Sequence, residues 1–325
     1  MRTGSHDTVV IGAGMAGLTA ARGLVAAGLD VLVVDKGRAV GGRMATRRFA
    51  GGRFDHGAQH FSARSPEFQA AVDGWRRTGV AKVWFEAQSV TSPERGVEPR
   101  HVGVGAMRAL PEQLARGVAV RTECRVDALD LGGDGVAVRA GAARVAGRGL
   151  VLTAPLPQSL ALLDAAEIPL AAADRAIVGA VEYDATLAVL AALSHPPDLR
   201  DGHRAFADGP IAWVADNQHK GVSSIPALTI HSSAAFAARH LESDPEEWTA
   251  ALVAAAEDLL GVKAVSAQGH RWRYAQPRTT FESGCVAAES AVPVVLAGEV
   301  FAGAKVEGAY LSGLAAASAV LARLR

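Results

Sequence analysis

The stretch from Val9 to Arg47, VVIGAGMAGLTAARGLVAAGLDVLVVDKGRAVGGRMATR, decides the fold. A β-branched run leads into Gly12, Gly14 and Gly17, which open an Ala/Leu-rich helical segment. A second apolar run, Val31 to Val34, ends at Asp35. Strand, glycine triplet, helix, strand and terminal acid together form a dinucleotide-binding signature. Gly12 permits a tight turn, Gly14 leaves room for a pyrophosphate, and Gly17 lets the helix lie close to the sheet. The phosphates meet unpaired amides at the helix start, Met15 and Ala16. Asp35 is placed to accept hydrogen bonds from an adenosine ribose, and its charge argues against a 2′-phosphate there.

Working outward, Lys36 to Arg48 reads KGRAVGGRMATRR. Gly41 and Gly42 allow a close backbone pass, and Arg43 offers a forked donor to a phosphate or simply solvates a basic turn. FDHGAQHFSA, residues 54–63, then gathers Gly57, Gln59, His60 and Phe61. Such polar groups among apolar ones either form a satisfied core network or line a flat redox-active ring.

The chain has 325 residues, enough for a large core and two structural units. With 33 basic and 33 acidic residues it carries no net bias towards nucleic acid or anionic membrane. MRTGSHDTVV enters the first strand directly, without a secretory-type pattern, and no apolar run is long enough for a membrane span. A cytoplasmic protein is the expectation. Cys124 and Cys285 are too few and too far apart for a disulfide framework or a cysteine metal site.

Further along, Glu67 to Arg77 reads as an amphipathic helix. Val80 to Phe85 and the Ser/Pro/Gly-rich sequence after it fit short strands, and Ala106 to Arg116 a returning helix. Strand-length runs follow at Val118–Val120, Cys124–Leu129, Val136–Arg139 and Gly149–Thr153. More strands are expected at Leu187–Leu193, Ile211–Ala215, Ala227–His231 and Val265–Arg273, with a helix at Pro245–Leu260. Trp213 and Asn217 occupy AWVADN, and His231 closes ALTIH; a histidine at a strand end is ordinarily a hydrogen-bonded structural group. In HRWRY, alternation puts Trp272 and Tyr274 on one face and Arg271 and Arg273 on the other. The tail offers a strand, Val292–Ala297, then Gly298-Glu299 and a helix beginning at Lys305-Val306-Glu307.

GAGMAGLTAARGL, GGRMATRR and AGEVFAGAKVEGAYLSGLAAA together resemble the FAD-dependent amine oxidase superfamily. FDHGAQHFSARSPEF, HRWRYAQP and KVEGAYLSG are most similar to its renalase-like branch, especially the bacterial members. The resemblance implies an α/β chain with a Rossmann-type FAD-binding domain and an interleaved α+β substrate domain carrying a mostly antiparallel sheet. The expected division is 1–65, 97–157 and 290–325 for FAD, and 66–96 and 158–289 for substrate.

It also implies FAD contacts from Gly42, Arg43, Met44, Gly57, Ala58, Gln59, Lys36 and the backbone of Val126, which from residue chemistry alone is more often core. Gly298 and Glu299 would sit near the ribityl or phosphate portion, and the backbone of Val306 and Glu307 near the pyrimidine side of the flavin. Glu299 replaces the more usual aspartate. His231 and Asn217 would orient a substrate, Trp213, Trp272 and Tyr274 would wall it, and Gln59 and His60 would face it. The implied reaction takes a 2- or 6-dihydro isomer of NAD(P)H to NAD(P)+ by hydride transfer to noncovalent FAD, with O2 as the second small-molecule partner and H2O2 as product. Amine oxidation and low-turnover flavin binding are the alternatives.

Overall fold

The computed structural model describes residues 5–88, 94 and 96–324. Most of the Ser/Pro/Gly-rich stretch expected after Phe85 lies outside the described residues.

β1 (Ser5–Ile11) runs through Gly12, at φ +111°, into α1 (Met15–Ala26), and β2 (Val31–Val34) returns beside it. The Gly-rich turn is sterically fixed: a Cβ on Gly17 would stand 1.9 Å from the Gly12 carbonyl oxygen. Thr46–Phe49 (β3) and Gly52–Asp55 (β4), for which the sequence gives no expected element, pair antiparallel around Ala50 and Gly51, both left-handed. The hairpin escaped notice because its strands, TRRF and GRFD, are arginine-rich rather than aliphatic.

Ser65 caps α2 (Pro66–Arg77), whose buried face carries Phe68, Val72 and Trp75. The hairpin of β5 (Ala81–Gln88) and β6 (Val97–Gly103) follows, then α3 (Ala109–Ala115) and β7 (Ala119–Arg121). The strand expected at Cys124–Leu129 begins only at Ala128, because Glu123 turns left-handed at φ +54° and directs Cys124 across Asp35. β8 (Ala128–Leu131) and β9 (Val136–Ala140) form a meander with β10 (Ala143–Leu152).

After Pro155 come α4 (Leu156–Ala165) and α5 (Ala172–Gly179), neither evident from sequence. A second sheet is then built from β11 (Tyr183–Leu193), β12 (His203–Ala205), β13 (Ile211–Asp216) and β14 (Ala227–Ser232). α6 (Ala234–His240) and α7 (Pro245–Leu260) precede its last strand, β15 (Ala264–Pro277). The chain closes with β16 (Val286–Ala287), β17 (Val294–Leu296) and α8 (Val306–Leu324).

The order β17-β10-β1-β2-β7 is parallel throughout, and β16, β9 and β8 join it antiparallel. The second sheet, β12-β13-β14-β11-β15, is antiparallel throughout. This is an α/β Rossmann-type arrangement joined to an antiparallel sheet. α1 and α8 cross where Gly313 faces the Ala16 carbonyl, a gap into which a Cβ would project to 2.4 Å. The glycine there brings the starts of both helices to the same end of the parallel sheet.

Candidate functional site

At the C-terminal edge of the parallel sheet, α1 starts at Gly14 with no side-chain cap and no acid in its first turn. Its leading amides are open to an anion, and the helix dipole favours one. Gly14 faces Gly42 across open space, since a Cβ on Gly14 would meet only the Gly42 Cα, at 4.0 Å. At Gly14 the missing side chain serves no internal contact and keeps the helix start clear, whereas at Gly42, φ +52°, a Cβ would come within 3.3 Å of the Gly14 Cα. Met15, Ala16 and Met44 are buried beneath it.

Asp35 accepts from the Ala13 amide through Oδ2 and from the Gly37 amide through Oδ1, both at 2.6 Å. Each oxygen retains a second lone pair for a ribose hydroxyl. Cys124 N donates to the Asp35 carbonyl, which brings Val126 alongside; Val126 lies just outside the β8–β9 ladder, half-buried against core. Lys36 reaches Gln158 Oε1 at 3.3 Å.

The fork of Arg43 is directed elsewhere than expected. It grips Glu299 with two bonds of 2.5 Å and reaches the carbonyls of Tyr274 and Ala275. Burial lowers Arg43, but the Glu299 carboxylate outweighs it and holds the guanidinium above its ordinary value. A bidentate partner of this kind is a strong competitor for any phosphate, and it makes Arg43 a strut between the glycine loop and Gly298-Glu299. Gly57 packs under the same residue: a Cβ there would fall 2.0 Å from the Arg43 carbonyl oxygen, which accepts from Ala58 N. Glu307 points its carboxylate at the amides of Arg64 and Ser65, tying α8 to the start of α2.

The other half of the site comes from the antiparallel sheet. Asn217 is fully buried: its Oδ1 accepts from Asp55 N, and its Nδ2 donates to Thr229 Oγ1 and the Ala227 carbonyl. That saturation removes it from substrate contact and makes it a support for the hairpin end. His231 Nε2 and Trp272 Nε1 both meet the His56 carbonyl, at 3.1 and 2.7 Å. A carbonyl only accepts, so His231 carries its proton on Nε2. Burial pulls His231 down to about 4. Gln59 Nε2 donates to the carbonyls of Asp55 and Gly57.

Trp272 and Tyr274 do not form one wall. Trp272 stacks on His56 at 5.2 Å, while Tyr274 meets Tyr183 edge-on at 5.5 Å beside Arg43. Between them β15 bulges against β11, where Thr186 pairs with Trp272 and Asp184 with Gln276. Arg271 and Arg273 hold the Ser243 carbonyl and Glu242, on the far side as alternation predicted.

His60 and Trp213 do come together, with ring centroids 5.4 Å apart, inside an aromatic group that sequence did not reveal. Phe85 stacks on His203 at 3.8 Å, His203 on Trp213 at 4.8 Å, and Trp84 closes the group. His60 Nδ1, Trp213 Nε1 and Trp84 Nε1 are buried without a hydrogen-bond partner among the described residues. Burial, then the cations Lys220 and Arg100, depress His60 to about 3, so it is a neutral ring at neutral pH. Beneath it Asp55 and Lys220, both fully buried, pair at 2.9 Å. Neither that pair nor the ring group had a sequence signal, because β5, the β3–β4 hairpin and the turn after β13 meet only in three dimensions.

The bare Gly14–Gly42 slot, the uncapped helix, the Asp35 carboxylate and the unpartnered ring nitrogens suit a dinucleotide with a planar head group. Among the described residues, no helix is long and apolar enough to cross a membrane.

Comparison with known proteins agrees with this geometry. Residues 10–75 match the NAD(P)-binding Rossmann-like domain, and residues 78–321 match the flavin containing amine oxidoreductase family. Putrescine oxidase from Kocuria rosea is 46% identical over 68 residues, 21% of this chain and 14% of that enzyme. Hydroxyneurosporene desaturase from Rubrivivax gelatinosus is 47% identical over 60 residues, 18% of this chain and 11% of that enzyme. The matched stretches thus span a small part of these relatives' length. In structure, putrescine oxidase bound to putrescine superposes with a TM-score of 0.71 at 17% identity, covering 99% of this chain and 100% of that one. A candidate protoporphyrinogen oxidase from Exiguobacterium gives 0.73 at 12% identity, covering 98% and 99%. The cofactor of the dinucleotide site is FAD, and the chain belongs to the flavin containing amine oxidoreductase family.

Proposed function

We propose that the protein is a renalase-like oxidase that takes 2- or 6-dihydro isomers of NAD(P)H to NAD(P)+. One observation carries this reading: the charged side chains that press most on the four inner imidazoles are cations. Lys220, Arg100 and Lys305 press on His60, Arg47 on His56 and His270, and Lys220 on His231. Lys220 is matched by Asp55, and Glu98 is shared between Arg64 and Arg100. Arg47, which no carboxylate among the described residues matches, then tips the surroundings towards a substrate with an anionic tail over a protonated diamine.

FAD held in the dinucleotide site would supply the hydride-accepting N5 and, with O2 as the final electron acceptor, the route to H2O2. The chain's own part is positioning. Gly14 and Gly42 admit the pyrophosphate and Asp35 holds the ribose, and the flavin is held noncovalently, since neither Cys124 nor Cys285 falls in a covalent-flavin motif. The Glu299–Arg43 strut and the α8 amides at Val306 and Glu307 frame the ring. His231 and Trp272 fix the His56 carbonyl, and with it the segment that presents Gln59 and His60 opposite Trp213. A dihydronicotinamide already carries its electrons in a reactive ring, so imidazoles that are neutral, with no imidazolium to act as a strong general acid, are compatible with it. The FAD unit is assigned to 1–65, 97–157 and 290–325, and the substrate unit to 66–96 and 158–289.

The same aromatic group supports amine oxidation as a second reading, since rings at this spacing also enclose a neutral amine. Anaerobic titration of the purified holoenzyme decides between them. Rapid flavin bleaching by 2- or 6-dihydro NAD(P), and not by the 4-dihydro form, is the expected result. Bleaching by putrescine and other amines alone overturns it in favour of amine oxidation. No bleaching by any donor leaves a flavin-binding protein of low turnover.

A further inference from the structure

Arg47 stands apart from the other arginines that reach the interior. Arg43 is held by Glu299, Arg64 and Arg100 share Glu98, and Arg108 has Glu112. Arg47, half-buried on β3, has no carboxylate partner among the described residues; its guanidinium instead approaches His270 Nδ1 at 3.4 Å. Since a guanidinium only donates, His270 presents a lone pair and adds no negative charge. Burial lowers Arg47 below its ordinary value, and Arg38, the next cation, pushes the same way. A partly desolvated guanidinium with no carboxylate partner among the described residues is an incomplete arrangement that an anion completes.

Its place in the fold says which anion. Arg47 is linked through His270 to the His56–Trp272 stack, with His56 and His270 centroids 4.8 Å apart. It is thus tied to the substrate sheet through β15, whereas the uncapped start of α1 suits the cofactor's own pyrophosphate. Arg271 and Arg273, the arginines of HRWRY, are committed to Ser243 and Glu242 and leave this role open. We propose that Arg47 forms an anion subsite that receives a phosphate of the substrate's nucleotide tail. This rests on the dihydronicotinamide reading and adds to it the group that distinguishes a nucleotide from a free nicotinamide or an amine.

Binding of inorganic pyrophosphate and of ADP-ribose to the oxidised holoenzyme tests the subsite without turnover. Wild-type protein is expected to bind both, less tightly as salt rises. Arg47→Met should weaken binding at least about ten-fold and Arg38→Met by a smaller factor, while Arg47→Lys retains part of it. Arg77→Met, at the exposed end of α2, serves as the control. In steady state, Arg47→Met should raise KM for the dinucleotide far more than it alters kcat. It should also shrink the preference for the dinucleotide over the phosphate-free dihydronicotinamide riboside. Unchanged pyrophosphate affinity in Arg47→Met overturns the proposal. So does loss of FAD from that variant, which would assign the anion to the cofactor. If no dihydronicotinamide bleaches the flavin, the functional reading fails by itself, and the pyrophosphate arm still decides the subsite.

Discussion

The Asp55 carboxylate and the Lys220 ammonium meet at 2.9 Å with both side chains sealed from water. Asp55 ends the β3–β4 hairpin and also accepts from Thr46 Oγ1 and Met107 N; Lys220 lies 5.1 Å from the Trp84 ring and 3.5 Å from Gln59 Oε1. Burial pulls Lys220 below its ordinary value, and Asp55 opposes that pull. Removing one partner strands the other charge, so Lys220→Met should destabilise by about 3–5 kcal/mol. Combined with Asp55→Asn it should lose less than the sum of the two single changes. Denaturant midpoints of the four proteins measure the coupling; additivity within about 0.5 kcal/mol would show the pair to be independent.

Gly14 and Gly17 are close in sequence and differ in what their missing side chains protect. At Gly17 a Cβ collides with the Gly12 carbonyl, whereas at Gly14 it meets only Gly42 Cα at 4.0 Å, and the backbone there is extended. Gly17→Ala should therefore disrupt the fold itself. Gly14→Ala should leave the FAD-free protein within about 0.5 kcal/mol of wild type. It should also reduce FAD affinity by more than about ten-fold. Thermal melts of apoprotein and flavin titration separate these effects; equal losses in both would remove the slot from the account.

That contrast also shows what was legible in the sequence. The spacing of Gly12, Gly14, Gly17 and Asp35 is local, so the Rossmann unit could be read directly. The helix at Pro245–Leu260 was equally plain from its proline start and apolar spacing. Residues such as Trp213 and His60 could be nominated singly, but their meeting depends on β13 and the segment after β4 arriving from distant positions. Arg43 illustrates the opposite difficulty: its position was marked, yet its partner lies 256 residues away. Asn217 was marked for its polarity, and only the fold reveals that three protein groups already satisfy it.

Glu299 joins the Gly41–Gly42 loop to the last strand through Arg43. Glu299→Gln would point an amide N–H₂ at one guanidinium nitrogen and leave a largely buried charge short of a partner. A loss of about 2–3 kcal/mol follows, with weaker FAD retention. Glu299→Asp keeps the charge and should fall between the two proteins, since a side chain one methylene shorter holds the fork less fully. FAD content after gel filtration and the melting temperature give the ranking; retention in Glu299→Gln equal to wild type would count against the strut.

The inner histidines make stability depend on pH above the carboxylate range. Burial chiefly holds His56 and His60 at about 3, and His231 and His270 at about 4, against an ordinary 6.5. Between those limits the unfolded chain binds more protons than the folded one, so stability rises with pH. The contribution is complete above about pH 6.5 and is lost as pH falls through the interval towards about 4. Each imidazole withdraws at most about 1.4 kcal/mol per pH unit, less where a ring edge meets water. The melting temperature should therefore begin to drop just below about pH 6.5, where Asp and Glu side chains are still ionised. Substituting His56 by Gln removes one titrating ring and should flatten the slope of melting temperature against pH. A wild-type melting temperature that stays level from about pH 7 to 5 would mean that these rings accept protons freely in the folded state.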